Sequence, residues 1–301
     1  MPQFMVLLAA LLWGAIAIFV KQLSFYGFTE MEIVSIRVTF AFLWLLPFVL
    51  FMKNKRQIAI QFKHLWYFIG TGLCSIVFFN WAYFKAINMM SISIAVMLLY
   101  TAPAFVVVLS ALFLKERLTK KKMIAVFTTM IGCTIIALAG KDIGGNWTAL
   151  GFIIGLCSGL GYALYTIFGK IALRNYESFI ITFYTFFVST LTLMPFFPFW
   201  KNAALLPLEA WFYMAGLGLF PTVVAYLFYT YGLKGIESST ASILATIEPI
   251  SAVVIGVTLY QEELFFTQII GVILILSSIV IISDWSRRRR KIDFNTRVEL
   301  D

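Results

Sequence analysis

Glu248 is the residue whose type and position could do most. It lies near the middle of an apolar run over residues 240–260, where an acidic side chain costs about 2.5–3.5 kcal/mol on membrane-insertion scales. Its helical neighbours Ala241, Leu244, Ala245, Ser251 and Ala252 are mostly small, so this face either packs tightly on another helix or borders a cavity. Pro249 follows directly; it removes a backbone donor and frees a carbonyl one turn earlier. Such an acid can bind a cation or carry a proton, and Glu248 is the candidate proton-coupling group. The plainer alternative is an acid hydrogen-bonded to a neighbouring helix for structure alone.

A second set is aromatic. Thr222, Tyr226, Tyr229 and Thr230 recur at i, i+4, i+7 and i+8, which places them on one helical face. Ile76, Asn80, Tyr83 and Phe84 repeat that spacing in an earlier run, and Asn80 is a mid-depth amide that needs a partner. Tyr162, Tyr165 and Thr166 lie in a third run and Trp13 in the first. Aromatic walls with sparse hydroxyls suit amphipathic, aromatic or cationic solutes. For any one tyrosine, packing or interfacial placement explains as much; the set is more telling than its members. The candidate binding residues are therefore Glu248, Asn80, Tyr83, Trp13, Tyr162, Tyr165, Thr166, Tyr226, Tyr229 and Thr230. Pro103 and Pro249 are candidate hinges. Gly155, Gly159 and Gly161 suit close helix packing. Arg37, near Glu30 and Glu32, reads as a snorkelling side chain with local pairing, an outer gate or anion contact being the alternative; Lys21 and Lys170 also read as snorkelling cations, with charges at a cavity mouth as the alternative.

These residues need a lipid-embedded frame. Of the 301 residues 61% are apolar and 12% charged, whereas soluble domains carry about 25% charged residues. The mean hydropathy is +0.94. Too few charges are present to dress a soluble surface, so the expected fold is an all-α integral membrane protein. The net charge of +9 comes from cations between apolar runs, an orientation signal rather than a nucleic-acid footprint. Cys74, Cys133 and Cys157 lie in apolar runs and imply no disulfides, and His64 is the single histidine. No metal site, Ser/His/Asp triad, phosphate-cradling Walker sequence or cofactor is expected, and no cleavable signal peptide is evident.

Ten spans are predicted, near 4–22, 33–52, 65–85, 92–114, 123–139, 149–170, 178–199, 209–232, 240–260 and 267–284. The seventh is least sharply bounded, because Pro195 and Pro198 could end it early. Alternate connections divide Lys and Arg 18 to 4, which puts both termini on the cytoplasmic face. The basic tail Arg287–Lys291 reads as an inner-face anchor. Asn146-Trp147-Thr148 matches a glycosylation sequon, a short pattern that arises by chance.

The chain repeats itself. A shift of 146 pairs Tyr67 with Tyr213, Gly70 with Gly216, Gly72 with Gly218, Tyr83 with Tyr229, Ser93 with Ser239, Ala95 with Ala241, Leu98 with Leu244, Pro103 with Pro249, Glu116 with Glu262 and Leu118 with Leu264. Earlier in the chain the shift is 149, pairing Trp13 with Tyr162 and Lys21 with Lys170. Five helices per copy make the second copy enter from the opposite side, a 5+5 inverted-topology repeat. The expected units are 1–140, 146–286 and a tail over 287–301. The Glu248 site is asymmetric, since its partner position is Ala102.

This pattern resembles the drug/metabolite transporter superfamily, specifically its EamA-type ten-helix members, over about residues 4–284. The likeness rests on Pro103 followed by Glu116-Arg117-Leu118-Thr119, on Pro249 followed by Glu262-Glu263-Leu264, and on Trp13-Gly14 and Arg37. Glu263 and Phe265 depart from it. The resemblance implies a secondary carrier, not an enzyme, that moves small organic metabolites by alternating access. One buried acid among aromatics leans toward amino acids, amines or cationic and aromatic compounds. Export across the plasma membrane, possible coupling to protons and a monomeric working unit are the expectations. Uptake, facilitated transport and a dimer are the alternatives, and a membrane transferase or a channel are competing classes. The expected partners are a small-molecule substrate and the lipid bilayer, with no nucleic acid.

Overall fold

The computed structural model describes residues 1–52, 58–140, 148–201 and 206–298, with side chains described as far as 283. Lys53, Lys55, Arg56, Lys141, Asn146 and Trp147, and the side chains of the tail Arg287–Lys291, lie outside the described residues. The described chain is helical: α1 Pro2–Phe25, α2 Glu30–Leu50, α3 Phe62–Ile87, α4 Ile92–Leu114, α5 Lys120–Leu138, α6 Ala149–Ala172, α7 Ser178–Leu193, α8 Leu208–Lys234, α9 Ser238–Tyr260 and α10 Phe266–Val298. Among these, nine are long and apolar enough to cross a membrane, and α7 is shorter. The chain is an all-α integral membrane protein.

Three spans are interrupted. α1 breaks at Ala15, α4 at Tyr100–Thr101 and α9 at Thr246–Ile247. The last two breaks lie just ahead of Pro103 and Pro249. Each proline occupies the first turn of a fresh half-helix, where its missing N–H costs no bond. At each candidate hinge the span is thus discontinuous, with proline starting the second segment rather than bending a continuous one. α3 and α8 each contain a π-helical stretch, Gly70–Val77 and Leu219–Val224. The seventh span ends at Leu193, short of the expected 199, and Pro195 and Pro198 follow at once.

Local chemistry fixes the helix starts. Thr29 and Glu32 form a reciprocal capping box at α2, with Thr29 N donating to Glu32 Oε2 at 2.9 Å and Glu32 N to Thr29 Oγ1 at 3.4 Å. Thr119 and Thr148 cap α5 and α6 through Lys122 N and Gly151 N.

The duplicated sequence yields duplicated elements. The half-helices Ile92–Leu99 and Ala102–Leu114 of α4 become Ser238–Ala245 and Glu248–Tyr260 of α9, every bound displaced by 146. Both end identically. Lys115 (φ 59°) and Gln261 (φ 53°) are the two positive-φ residues other than glycine among the described residues. The following N–H, Glu116 or Glu262, donates at 3.1 Å to Ser110 O or Gly256 O, six residues back, so a left-handed residue closes each helix end without glycine.

The bundle has two distinct ends. At the basic end meet Pro2, Glu116, Lys122, Lys170, Glu177 and the α8–α9 connection. At the far end Tyr26 donates to Glu209, Lys21 lies over the Tyr260 ring and Gly140 abuts Phe265. Small residues allow the close helix approaches. A Cβ on Gly159 would sit 2.9 Å from Leu98 O, and one on Gly161 3.0 Å from Phe79 Cα. Gly132 faces Gly271 between α5 and α10, where Thr129 also donates to Ser278 at 2.6 Å.

Candidate functional site

The break in α9 makes Glu248 the first residue of the half-helix Glu248–Tyr260. Its carboxylate therefore sits at a helix N-terminus inside the apolar slab, where unpaired N–H groups favour negative charge. The Tyr162 hydroxyl of α6 donates to Glu248 Oε2 at 3.1 Å.

Glu248 opens onto a cavity of about 330 Å³. Its wall includes Trp13, Ala17, Arg37, Phe79, Asn80, Tyr83, Phe84 and Tyr100, and it reaches the far end at Val20, Glu30 and Ile87. Arg37 does not snorkel. It is 7% exposed, lines the cavity and makes no ion pair with Glu30 or Glu32 among the described residues. The reason is local: Glu32 is committed to the α2 cap, and Arg37 lies two turns further along the helix. Arg37 Nε and Trp13 Nε1 are buried donors with no acceptor among the described residues. A buried donor left unpaired costs about 1–3 kcal/mol, so both suit a ligand that brings oxygen atoms.

The other tyrosines form the floor. Trp13 meets the Tyr226 ring edge-on at 5.2 Å and lies 5.1 Å from Tyr229 and 6.2 Å from Tyr162, centroid to centroid. Tyr165 stands perpendicular to Tyr226 at 4.9 Å. Two hydroxyl pairs knit α6 to α8: Thr166 with Tyr229 at 2.6 Å and Tyr165 with Thr230 at 2.7 Å. Of the ten residues singled out by sequence, Trp13, Asn80, Tyr83 and Glu248 line the cavity. Tyr162 reaches the acid, while Tyr165, Thr166, Tyr226, Tyr229 and Thr230 make the sealed layer beneath. Asn80 satisfies itself in part, donating to Ile76 O at 2.7 Å. Sequence reasoning passed over Phe79 and Tyr100, which carry no pattern distinguishing them from packing aromatics.

Below the floor the basic end is closed by polar contacts. Glu116, in the α4–α5 connection, accepts from Ser238 N at 2.6 Å, Ser239 N at 3.2 Å and Ser239 Oγ at 2.7 Å. Burial alone would raise its carboxyl. The Ser239 hydroxyl, the two backbone N–H groups and the Lys122 ammonium outweigh that and hold it below the ordinary glutamate value. Lys122 Nζ lies 3.6 Å from Glu116 and 3.1 Å from Glu237, and donates to Arg117 O. Lys170 Nζ donates at 2.6 Å to both Leu233 O and Ile236 O. This is not free snorkelling but a clamp on the end of α8.

The model of the EamA-like transporter family matches residues 1–138 and 149–284. The chain belongs to the EamA-like transporter family. An uncharacterized transporter of Archaeoglobus fulgidus is 31% identical over 277 residues, covering 92% of this chain and 94% of the relative. The uncharacterized inner membrane transporter YicL of Salmonella typhimurium is 25% identical over 297 residues, covering 95% and 96%. A solved crystal structure shares this EamA-like fold with a TM-score of 0.78 at 16% identity, covering 95% of this chain and 98% of that one. The cavity of this EamA-like transporter thus lies within the family's fold.

Proposed function

We propose that the chain is a secondary carrier for small zwitterionic or amine metabolites, working by alternating access. The observation that carries this is one cavity of about 330 Å³ holding a half-buried acid, Glu248, and a buried cation, Arg37, whose Nε lacks an acceptor among the described residues, against an aromatic floor. The volume lies at the small end of the range for ligand pockets. An ammonium group would take Glu248 and the adjacent ring faces, and a carboxylate would take the Arg37 fork and Trp13 Nε1. Glu248 would alternate between holding a proton and holding the solute ammonium. Amino acids and amines fit this chemistry, and export remains the favoured direction.

The reading takes 1–140 and 146–286 as an inverted repeat with 287–301 as a cytoplasmic tail, both termini on the cytoplasmic face of the plasma membrane. The equal displacement of the α4 and α9 bounds and the placement of Glu116 and Glu262 at opposite ends support it, as does the 18-to-4 cation bias. The cavity would then face outward.

Proteoliposomes loaded with candidate amino acids and amines test the proposal. Saturable exchange of a zwitterion that is lost in Arg37→Met and in Glu248→Gln, or of an amine that is lost in Glu248→Gln alone, is expected. Unsaturable flux would indicate a channel, and unchanged exchange in both variants would reject the site.

A further inference from the structure

The contacts that close the basic end have counterparts at the far end, and the counterparts are apart. Glu116 caps the start of α9 through Ser238 N, Ser239 N and Ser239 Oγ. Displaced by 146, those residues are Glu262, Ile92 and Ser93, so the receiving serine is kept in both copies. Yet no hydrogen bond joins Glu262 to Ser93 among the described residues; both border a cavity of about 280 Å³ that also touches Tyr100, Pro249 and Gln268. The start of α4 is instead capped from its own chain, Ser91 accepting from Ile94 N at 3.4 Å. The Glu262 carboxylate is exposed.

The cations follow the same rule. Lys170 binds Leu233 O and Ile236 O at the end of α8. Its counterpart is Lys21, and the matching carbonyls are those of Ile87 and Met90 at the end of α3. Lys21 is elsewhere, with its Nζ 3.5 Å from the centre of the Tyr260 ring. So at one end an acid caps a half-helix start and a lysine caps a helix end; at the other the corresponding contacts are not made. A helix start and a helix end carry opposite partial charges, which suits a carboxylate and an ammonium respectively.

We propose that Glu116 with Lys170 and Glu262 with Lys21 are two mutually exclusive latches, one closing each end of the solute chamber. In the second state Glu262 accepts from Ile92 N, Ser93 N and Ser93 Oγ, and Lys21 leaves Tyr260 for the carbonyls of Ile87 and Met90. Glu116 and Lys170 let go. The inference rests on the alternating-access reading and goes beyond it by naming what holds each state.

The test needs no solute. In the full chain with Cys74, Cys133 and Cys157 replaced, Ala17→Cys places a thiol in the main cavity, and a membrane-impermeant maleimide applied from the far end reads its exposure. Glu116→Gln and Lys170→Met should lower the labelling rate, and Glu262→Gln and Lys21→Met should raise it, each toward about tenfold as expected for charged hydrogen bonds. Glu116→Gln combined with Glu262→Gln should return it near the parent. Ser239→Ala and Ser93→Ala, which add no volume, should move it in the same two directions more weakly, so a misfolded glutamate variant cannot decide the matter. Shifts in one common direction, or none, overturn the latches. Opposed shifts in a protein that carries no solute would keep the latches and reject the transport reading; saturable exchange without opposed shifts would do the reverse.

Discussion

The Tyr162 hydroxyl donates to Glu248 Oε2 at 3.1 Å, joining the acid of α9 to the α6 residue that matches Trp13 of α1. Trp13 in turn packs 6.2 Å from that tyrosine ring. The acid, its donor and the aromatic floor are one connected unit, so the chemistry at Glu248 and the seal beneath it are mechanically linked.

Replacing Glu248 with Gln keeps the volume and the Tyr162 contact but removes the titrating group. If a proton alternates with solute at this side chain, flux driven by a pH gradient should fall at least tenfold, the factor set by losing about 1.4 kcal/mol of charged interaction. Solute-for-solute exchange of a neutral-headed analogue should persist. Gradient-driven flux at the parent rate in Glu248→Gln proteoliposomes would remove the coupling role.

Arg37 supplies the opposite pole. Arg37→Lys keeps the charge yet loses the planar fork and the reach of Nε, so the two cations are not equivalent here. Binding of a zwitterion, measured by calorimetry or tryptophan quenching at Trp13, should weaken by about tenfold in Arg37→Lys, and further in Arg37→Met. Binding of the decarboxylated amine should change little in either variant. Equal losses for both ligands would mean Arg37 shapes the protein rather than reading a carboxylate.

How far the sequence carries can be judged residue by residue. Glu248 stood out because an acid in an apolar run is anomalous, Asn80 and Tyr83 followed from helical spacing, and Trp13 from being an aromatic in the first run; all four line the cavity. The same spacing placed Tyr226, Tyr229 and Thr230 together on α8 but could not tell a wall from a floor, which depends on how α6 and α8 tilt against each other. Arg37 was misjudged because nearby Glu30 and Glu32 offered a local partner, and the α2 cap takes Glu32 away. The helix breaks at Thr101 and Thr246 leave only prolines as their trace in sequence, and those prolines begin the next segment. The polar closure around Glu116 was present as a repeated Glu and a repeated Ser. It became readable only when the two were seen to touch.

Packing between α4 and α6 tolerates no added atoms at Gly159. A Cβ there would stand 2.6 Å from Thr101 Oγ1 and 2.9 Å from Leu98 O. The nearer atom belongs to the break in α4, where Thr101 Oγ1 already donates to Leu98 O at 2.6 Å. Gly159→Ala should therefore force the helices apart and destabilise the fold by about 1–3 kcal/mol, the usual range for overpacking. Gly169→Ala, whose Cβ would find Leu233 no closer than 3.7 Å, is the matched control and should unfold with the parent in detergent melts.

The basic end should respond to acid in a defined sense. Glu116 is held below the ordinary glutamate value in this state by Ser239, the N–H groups of Ser238 and Ser239, and Lys122, with Glu237 and Lys170 also nearby. When the end opens, the carboxyl returns to water and to its ordinary value of about 4.3. A depressed carboxyl stabilises the closed end fully above that ordinary value, and the stabilisation is lost as pH falls through the depressed one. Labelling of the Ala17→Cys thiol from the far end, in the chain whose three native cysteines are replaced, should stay level as pH falls from neutral toward about 4.3, once corrected for maleimide reactivity. Below that it should decline as the basic end loosens, read in the Glu262→Gln background, where the opposing latch no longer titrates. Glu116→Gln should show no such decline, because it has already lost the group that titrates. A parent and a Glu116→Gln profile of the same shape would mean that another carboxyl governs this end.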